Sequence, residues 1–385
     1  MATFSIFLES IYRDGNDGKA FEHFVKWFLK NDPEWSTQVD KVWLWDEWPG
    51  RWGRDKGIDL VFEDYNGEVW VVQAKCYDEK YDVTKADIDS FLSESGRKGI
   101  SRRLLITTTD KLGTNAREVC AGQEKPVTLY MREHFECANV DYPSDYRNLI
   151  NVKKKPKPSA RPHQEIAIKD VVEGFKDADR GQLIMACGTG KTFTTLWIKE
   201  QMKSNNTLVL LPSLNLLAQT VSEWSFASKS KIDVLCVCSD KSVGEKSDDE
   251  VVQSLSDVPF PVHSEITKIR EFMKGAGDKV IFSTYQSSDL IHEAQKGRGI
   301  PIFDLAVADE AHRCAISGKP NSPFATIPDG KRIKASKQLL ATAIPRTYTT
   351  QAKNALEERG VEVVGMDDEE AFGKPFYSLT FEEAI

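Results

Sequence analysis

The segment QLIMACGTGKT, residues 182–192, constrains the chain more than any other. An apolar run leads into two glycines and a Lys-Thr pair, and a helix-forming stretch follows. A strand that turns through glycines into a helix N-terminus aims several backbone N–H groups at one point, which is how a phosphate is held. Gly188, Thr189 and Gly190 form that cradle, Lys191 reaches the β- and γ-phosphates of ATP, and the Thr192 hydroxyl faces Mg²⁺. Ala186 occupies the place where the usual GxxxxGK[ST] pattern has its first glycine, so the strand–turn–helix context carries the reading.

Further strands are predicted at 207–213, 231–239, 279–285, 303–310 and 337–343, with helices in most of the intervals. Branched, apolar strands alternating with helices imply a parallel sheet covered on both faces. The strand FDLAVA ends in Asp309-Glu310, placed so that Asp309 orders Mg²⁺ and Glu310 polarises the attacking water. Residues 240–262 are Ser/Asp-rich and read as a surface excursion.

The first 150 residues follow a different order: helix, three strands, helix, strand. In GKAFEHFVKWFLK, Phe21, Phe24, Val25, Phe28 and Leu29 make one apolar stripe. Strands are predicted at 41–47, 57–64 and 67–77, the last two joined by the hairpin signal Asn66-Gly67. Helix 84–95 and strand 103–109 complete a compact α/β domain. Alternation turns Gln73 and Lys75 to one face of a strand, and the hairpin brings Asp59 beside them. Asp59 and Gln73 offer oxygen ligands for Mg²⁺, helped by the Ala74 carbonyl. Lys75 orients water, and Glu22 on the preceding helix completes the shell or positions the lysine. Trp43 and Trp45 share a strand face and belong to the core. Trp48-Pro-Gly-Arg-Trp52 reads as a loop beside this site whose rings either stay structural or stack on DNA.

Between the two domains, KKKPKPSARP at 153–162 reads as an extended, exposed linker. The net charge of −8 gives no global attraction to nucleic acid, so any such surface is local. Seven cysteines without a CxxC pair form no disulfide framework, which fits a reducing cytoplasmic setting. No signal-peptide pattern opens the chain and no run of apolar residues is long enough for a membrane span.

The second domain resembles the first RecA-like domain of superfamily 2 helicases and translocases over about residues 160–350. RPHQ, with Gln164, is similar to the adenine-reading Q motif; LLPSLNLLAQT and STYQS are similar to strand-binding segments; ATAIPR stands at the third motif with Thr342 kept. The resemblance implies that Ser213, Gln219, Thr284, Gln286 and Ser287 bond nucleic-acid phosphates without reading bases, unless they only cap helices. It also implies a second RecA-like domain, toward which residues 351–385 look like an entrance.

Phe21-Glu22, Gly57-Ile58-Asp59 and Gln73-Ala74-Lys75 resemble the Mrr-like branch of the PD-(D/E)xK nucleases, where QxK replaces ExK. The whole is thus expected to be α/β: a restriction-endonuclease-like mixed sheet at 1–150, a linker at 151–162, and a RecA-like P-loop domain at 163–350. That combination resembles the front of Type ISP restriction-modification enzymes, as do CVCSDKSVG and MDDEEAFG. The resemblance implies ATP-driven movement on double-stranded DNA. It also implies partner domains (second RecA-like, coupler, methyltransferase, target-recognition), with S-adenosylmethionine used only in the methyltransferase. Two other readings stand beside it: a repair or defence helicase-nuclease without a methyltransferase, and a non-catalytic DNA-binding adaptor.

Overall fold

The computed structural model describes residues 2–13, 15, 17–54, 57–125, 127–152, 155–238, 258, 260–315, 332–348 and 364–383. The expected excursion at 240–262 and the stretch 351–363 lie largely or wholly outside them, as do Lys153 and Lys154 of the basic linker. The chain divides into two compact units that meet in sequence at Pro156 and Lys157.

The first unit opens with helices α1 (Phe4–Tyr12) and α2 (Asp17–Asn31). Its sheet contains β1 (Val39–Leu44), β2 (Leu60–Asp64), β3 (Val69–Lys75), β4 (Arg102–Thr107) and β5 (Val127–Tyr130), in that spatial order. The first three are antiparallel neighbours, and β3, β4 and β5 run parallel, so the sheet is mixed. The stripe of α2 is fully buried and packs with Leu60, Phe62, Trp70 and Val72 on one face of the sheet. The other face, carrying Val61 and Val71, packs with Ile88, Phe91 and Leu92 of α3 (Lys85–Glu94) and with Ala116 and Cys120 of α4 (Thr114–Ala121). Helix α5 (Arg132–Cys137) follows β5. In the β2–β3 turn, Asp64 Oδ1 accepts the N–H groups of Asn66 and Glu68, each at 2.9 Å, and Gly67 takes the left-handed φ of +76°.

The strand expected at 41–47 ends earlier. Residues Trp45–Glu47 form a turn of 3₁₀ helix, because Glu47 Oε2 folds back to accept the Leu44 N–H at 3.0 Å. Trp43 and Trp45 therefore share no strand face: Trp45 is buried and Trp43 half-buried.

The second unit has eight strands in one sheet, every described pairing parallel: β6 (Arg180–Met185), β7 (Asn206–Leu211), β8 (Asp233–Val237), β9 (Val262–His263), β10 (Lys279–Thr284), β11 (Phe303–Ala308), β12 (Ala335–Thr342) and β13 (Lys374–Leu379). Their spatial order is β13-β6-β12-β11-β7-β10-β8-β9. Helix α6 (Pro162–Asp177) precedes β6, and helices α7 (Lys191–Met202), α8 (Leu214–Ala227), α9 (Ile266–Lys274) and α10 (Ser288–Gln295) lie in the crossovers.

β13 was not expected. Residues 364–383, read from sequence as the way into another domain, add a strand to this one. The Phe376 ring fills the space left by two missing side chains. A Cβ on Gly174 of α6 would lie 2.4 Å from it, and one on Gly181 of β6 would lie 2.1 Å from it. The buried Gln182 amide donates to the Met366 and Gly373 carbonyls at 2.9 and 2.7 Å. Such contacts between distant residues leave no local periodicity to read. Among the described residues, no helix is long and apolar enough to cross a membrane.

Candidate active sites

The hairpin register pairs Leu60 with Val72, so Asp59 lies opposite Gln73 just beyond the end of β2. The Asp59 N–H donates to the Val72 carbonyl at 2.9 Å, and Asp59 Oδ2 accepts the Ala74 N–H at 2.7 Å. One carboxylate oxygen is thus fixed by the sheet itself. Gln73 and Lys75 alternate with Val71 and so share its face, toward α3. Gln73 is 2 % exposed, and its Oε1 has no hydrogen-bond partner among the described residues. Gly57, with φ of +99°, lets this amide pack closely: a Cβ there would lie 3.3 Å from Gln73 Nε2.

A buried amide oxygen without a donor is costly unless something electropositive meets it. With the Asp59 carboxylate, it forms an oxygen donor set of the kind a hard divalent cation takes. The residues present therefore fit Mg²⁺. Among the described residues no three His, Cys, Asp or Glu side chains gather around one point. Asp59, Gln73 and Lys75 come together on one strand end. Glu22 stands half-buried on α2, whose apolar stripe covers the opposite face.

The tryptophan loop is built as structure. Trp45, Trp48 and Trp52 pack on one another with ring centroids 4.9 to 5.8 Å apart. Trp52 Nε1 donates to Glu94 Oε2 at 3.0 Å, and Arg97 lies 4.7 Å over the Trp52 ring. These rings hold the loop against the α3 face rather than projecting as wedges.

In the second unit, the turn after β6 takes left-handed φ at Gly188 (+79°) and Gly190 (+83°), and α7 begins at Lys191. Lys191 Nζ lies 2.9 Å from Glu310 Oε1 and 3.5 Å from Asp309 Oδ1. Asp309 and Glu310 follow β11, which is separated from β6 by β12 in the sheet. Glu310 has an unusual φ of +49° for a side-chain-bearing residue. Its other oxygen lies 3.2 Å from His312 Nδ1, which is also 3.1 Å from Thr342 Oγ1 at the end of β12. The His312 hydrogen bond, with Lys191, lowers the Glu310 carboxyl to about 2, while burial raises that of Asp309. His312 was missed from sequence, although ADEAHR places it two residues after the glutamate.

Gln164 sits at the third position of α6 and is 3 % exposed. Its Oε1 accepts the Arg161 N–H at 2.8 Å, and its Nε2 donates to the Thr189 and Gly190 carbonyls at 3.2 and 3.1 Å. Its amide faces the phosphate loop.

The expected phosphate contacts separate by exposure. Gln219 is exposed and donates to Glu223 at 2.7 Å; Ser213 caps α8 by accepting the Leu216 N–H at 3.3 Å. Gln286 is half-buried. Thr284 and Ser287 are each 1 % exposed, and the Thr284 hydroxyl donates to Ser287 Oγ at 3.0 Å. Those two side chains brace the loop after β10 from inside, which corrects the expectation that they reach a nucleic acid.

Comparison with known families matches each of the two units to a family. A restriction-endonuclease family of the Mrr type matches residues 30–149, and the family described as type III restriction enzyme, res subunit, matches residues 157–347. The chain therefore belongs to the restriction enzymes, with a nuclease domain followed by a helicase-like ATPase domain. Within that class it matches the Type ISP enzymes. The solved structure of the ATP-dependent Type ISP restriction-modification enzyme LlaBIII bound to DNA is 32% identical, with a TM-score of 0.82 over 98% of this chain and 25% of that one. A nuclease-deletion mutant of the Type ISP enzyme LlaGI, in complex with a DNA substrate mimic, is 33% identical over 59% of this chain and 20% of that one, with a TM-score of 0.45. This chain thus spans about a quarter of the LlaBIII length. No curated protein matches it.

Proposed function

We propose that this chain supplies the nuclease and first motor domain of an enzyme that moves along duplex DNA with ATP and cuts phosphodiester bonds with Mg²⁺. One observation carries the reading: Asp59 lies opposite Gln73, whose amide oxygen has no hydrogen-bond partner among the described residues, in a chain that also holds Lys191 against Asp309 and Glu310. The likeness to LlaBIII, an ATP-dependent enzyme bound to DNA, supports it.

At the nuclease site, Asp59 Oδ1 and Gln73 Oε1 would hold the cation, with the Ala74 N–H keeping Asp59 in place. Bound Mg²⁺ supplies Lewis acidity at the scissile phosphate and a more acidic water. Lys75 orients that water and offsets charge on the phosphate. Glu22 acts from α2 by positioning the lysine or completing the shell. One such site cuts one strand, so a double-strand break takes two molecules or two successive nicks.

At the motor site, the N–H groups of Gly188–Gly190 and the Lys191 ammonium receive the phosphates, and Thr192 and Asp309 hold Mg²⁺. Glu310 polarises the water that attacks the γ-phosphorus, and the bond to the β-phosphate oxygen breaks to leave ADP. DNA runs past Ser213, Gln219 and Gln286, whose hydrogen bonds to phosphates carry no sequence information. Further domains like those of Type ISP enzymes (second RecA-like, coupler, methyltransferase and target-recognition) are the partners of this arrangement.

A plasmid-nicking assay with Mg²⁺ or Mn²⁺ tests the reading. Asp59→Ala is expected to abolish nicking, and equal nicking by both proteins would end the nuclease claim. Lys191→Ala is expected to abolish ATP binding while sparing any ATP-independent nicking.

A further inference from the structure

We infer that Thr108 is a positioning residue for Lys75: its hydroxyl takes the place of the strand bonds that run out where the lysine sits. The inference rests on the reading of Asp59, Gln73 and Lys75 as the nuclease site. Lys75 is the last residue of β3, and its partner Thr107 is the last of β4. Strand ends open first, because beyond them no ladder holds the backbone. A lysine carries its charge on a flexible four-carbon stem. At such an end, the hold on the backbone decides whether the ammonium meets a phosphate.

Thr108 supplies that hold. Its N–H donates to the Lys75 carbonyl at 3.1 Å. Its hydroxyl accepts the Tyr77 N–H at 2.7 Å and donates to the Tyr77 carbonyl at 2.6 Å. One residue thus fixes the chain on both sides of Cys76. Thr108 is 0 % exposed, so water does not replace the hydroxyl when it is lost. The Tyr77 carbonyl has a second donor, the Tyr12 hydroxyl at 2.7 Å. The Tyr77 N–H has the Thr108 hydroxyl as its one acceptor among the described residues, so loss of that oxygen strands it. Thr109 is equally buried but works farther along. Its hydroxyl lies 3.0 Å from the carbonyls of Glu79 and Tyr81, past the residues that flank the lysine.

A lysine that wanders costs rate before it costs binding, because its contact counts most as charge builds on the phosphate. The test compares nicking with Mn²⁺ by the 385-residue chain and its Thr108→Val, Thr108→Ser and Thr109→Val variants, at a temperature where all are folded. Thr108→Val keeps the shape and removes the hydroxyl. Its kcat is expected to fall on the order of tenfold to a hundredfold, with KM for DNA near the parent's. Thr108→Ser returns the hydroxyl and should return kcat. Thr109→Val should leave kcat near the parent value. Amide exchange needs neither metal nor DNA, and the Tyr77 N–H should exchange roughly tenfold faster in Thr108→Val. Thr108→Ala makes the same comparison if the valine variant does not fold. Parent-like kcat or parent-like Tyr77 exchange in Thr108→Val, an equal loss in Thr109→Val, or no rescue by serine would overturn the inference. Equal nicking by Asp59→Ala and the parent would end the nuclease reading and the inference with it, a result distinct from the other four.

Discussion

Lys191 Nζ lies 2.9 Å from Glu310 Oε1, so the lysine that opens α7 and the carboxylate that follows β11 hold each other. Glu310 is lowered to about 2 by its His312 hydrogen bond and then by Lys191. A carboxyl held below its unfolded value adds stability above that unfolded value, and the contribution is lost as pH falls through the folded one. Lys191→Met removes one cause. The variant should lose about 1–2 kcal/mol at pH 7, a partly exposed pair being worth less than a buried one. The deficit should shrink as pH falls from 5 toward 3. Thermal melts across that range check this; a constant deficit would assign the loss to packing.

Asp59 does two things that one substitution can separate. Asp59→Asn keeps an oxygen for the Ala74 N–H at 2.7 Å but removes the charge. Nicking should disappear, with stability changed by less than about 1 kcal/mol. Asp59→Ala removes the acceptor too and should cost about 1–3 kcal/mol. Chemical denaturation of both variants distinguishes the roles; equal stability of the two would remove the structural one.

Gln73→Glu would add a carboxylate at 2 % exposure opposite Asp59. Without metal, two neighbouring carboxylates repel and the variant should melt below the parent protein at pH 7. With Mn²⁺ the order should reverse, because a doubly charged site holds the cation more tightly. The neutral Gln73 site, by contrast, should show weak metal binding by calorimetry until duplex DNA supplies phosphate oxygens. Tight binding by the parent protein without DNA would contradict this.

Asp32 gives a pH dependence of opposite sign. Burial raises its carboxyl to about 6, although Oδ1 accepts the N–H groups of Glu34 and Trp35 at 3.0 and 2.9 Å. The folded state then binds the proton more tightly than the unfolded chain. Stability from this group is fully present below about pH 4 and lost as pH rises through about 6. The span is on the order of 3 kcal/mol. Asp32→Asn can keep both backbone bonds and should flatten that slope, as melting curves between pH 4 and 7 would show. An unchanged slope would place the titrating group elsewhere.

The sequence was most legible where one element decides the outcome. The β2–β3 hairpin announces itself through Asn66-Gly67 and alternating side chains, and its register alone brings Asp59 opposite Gln73. The parallel strands of the second unit follow from their branched, apolar composition. What stayed hidden depends on side chains meeting across the chain. The apolar pattern of residues 42–45 carries no mark of where the strand stops, but Glu47 turns back on Leu44 and makes a helical turn. Nothing near residue 376 predicts that Phe376 fills the gap over Gly174 and Gly181. Nothing in the sequence around residue 164 predicts that its amide donates to the Thr189 and Gly190 carbonyls.

The Trp45 N–H donates to the Asp59 carbonyl at 2.9 Å. That bond ties both ends of the intervening excursion together beside the strand end that presents the Asp59 carboxylate. Closing a loop costs little more when the loop grows, since the entropy rises only with the logarithm of its length. The tip at Pro49-Gly50 is exposed, so added residues there would extend into solvent while Asp59 keeps its place opposite Gln73. The tip at Pro49-Gly50 is thus a point of insertion, while Trp48 and Trp52 keep the rest of the loop packed against α3. Lineages could lengthen that tip, and engineers could graft a reporter into it, without moving Asp59 from its place opposite Gln73.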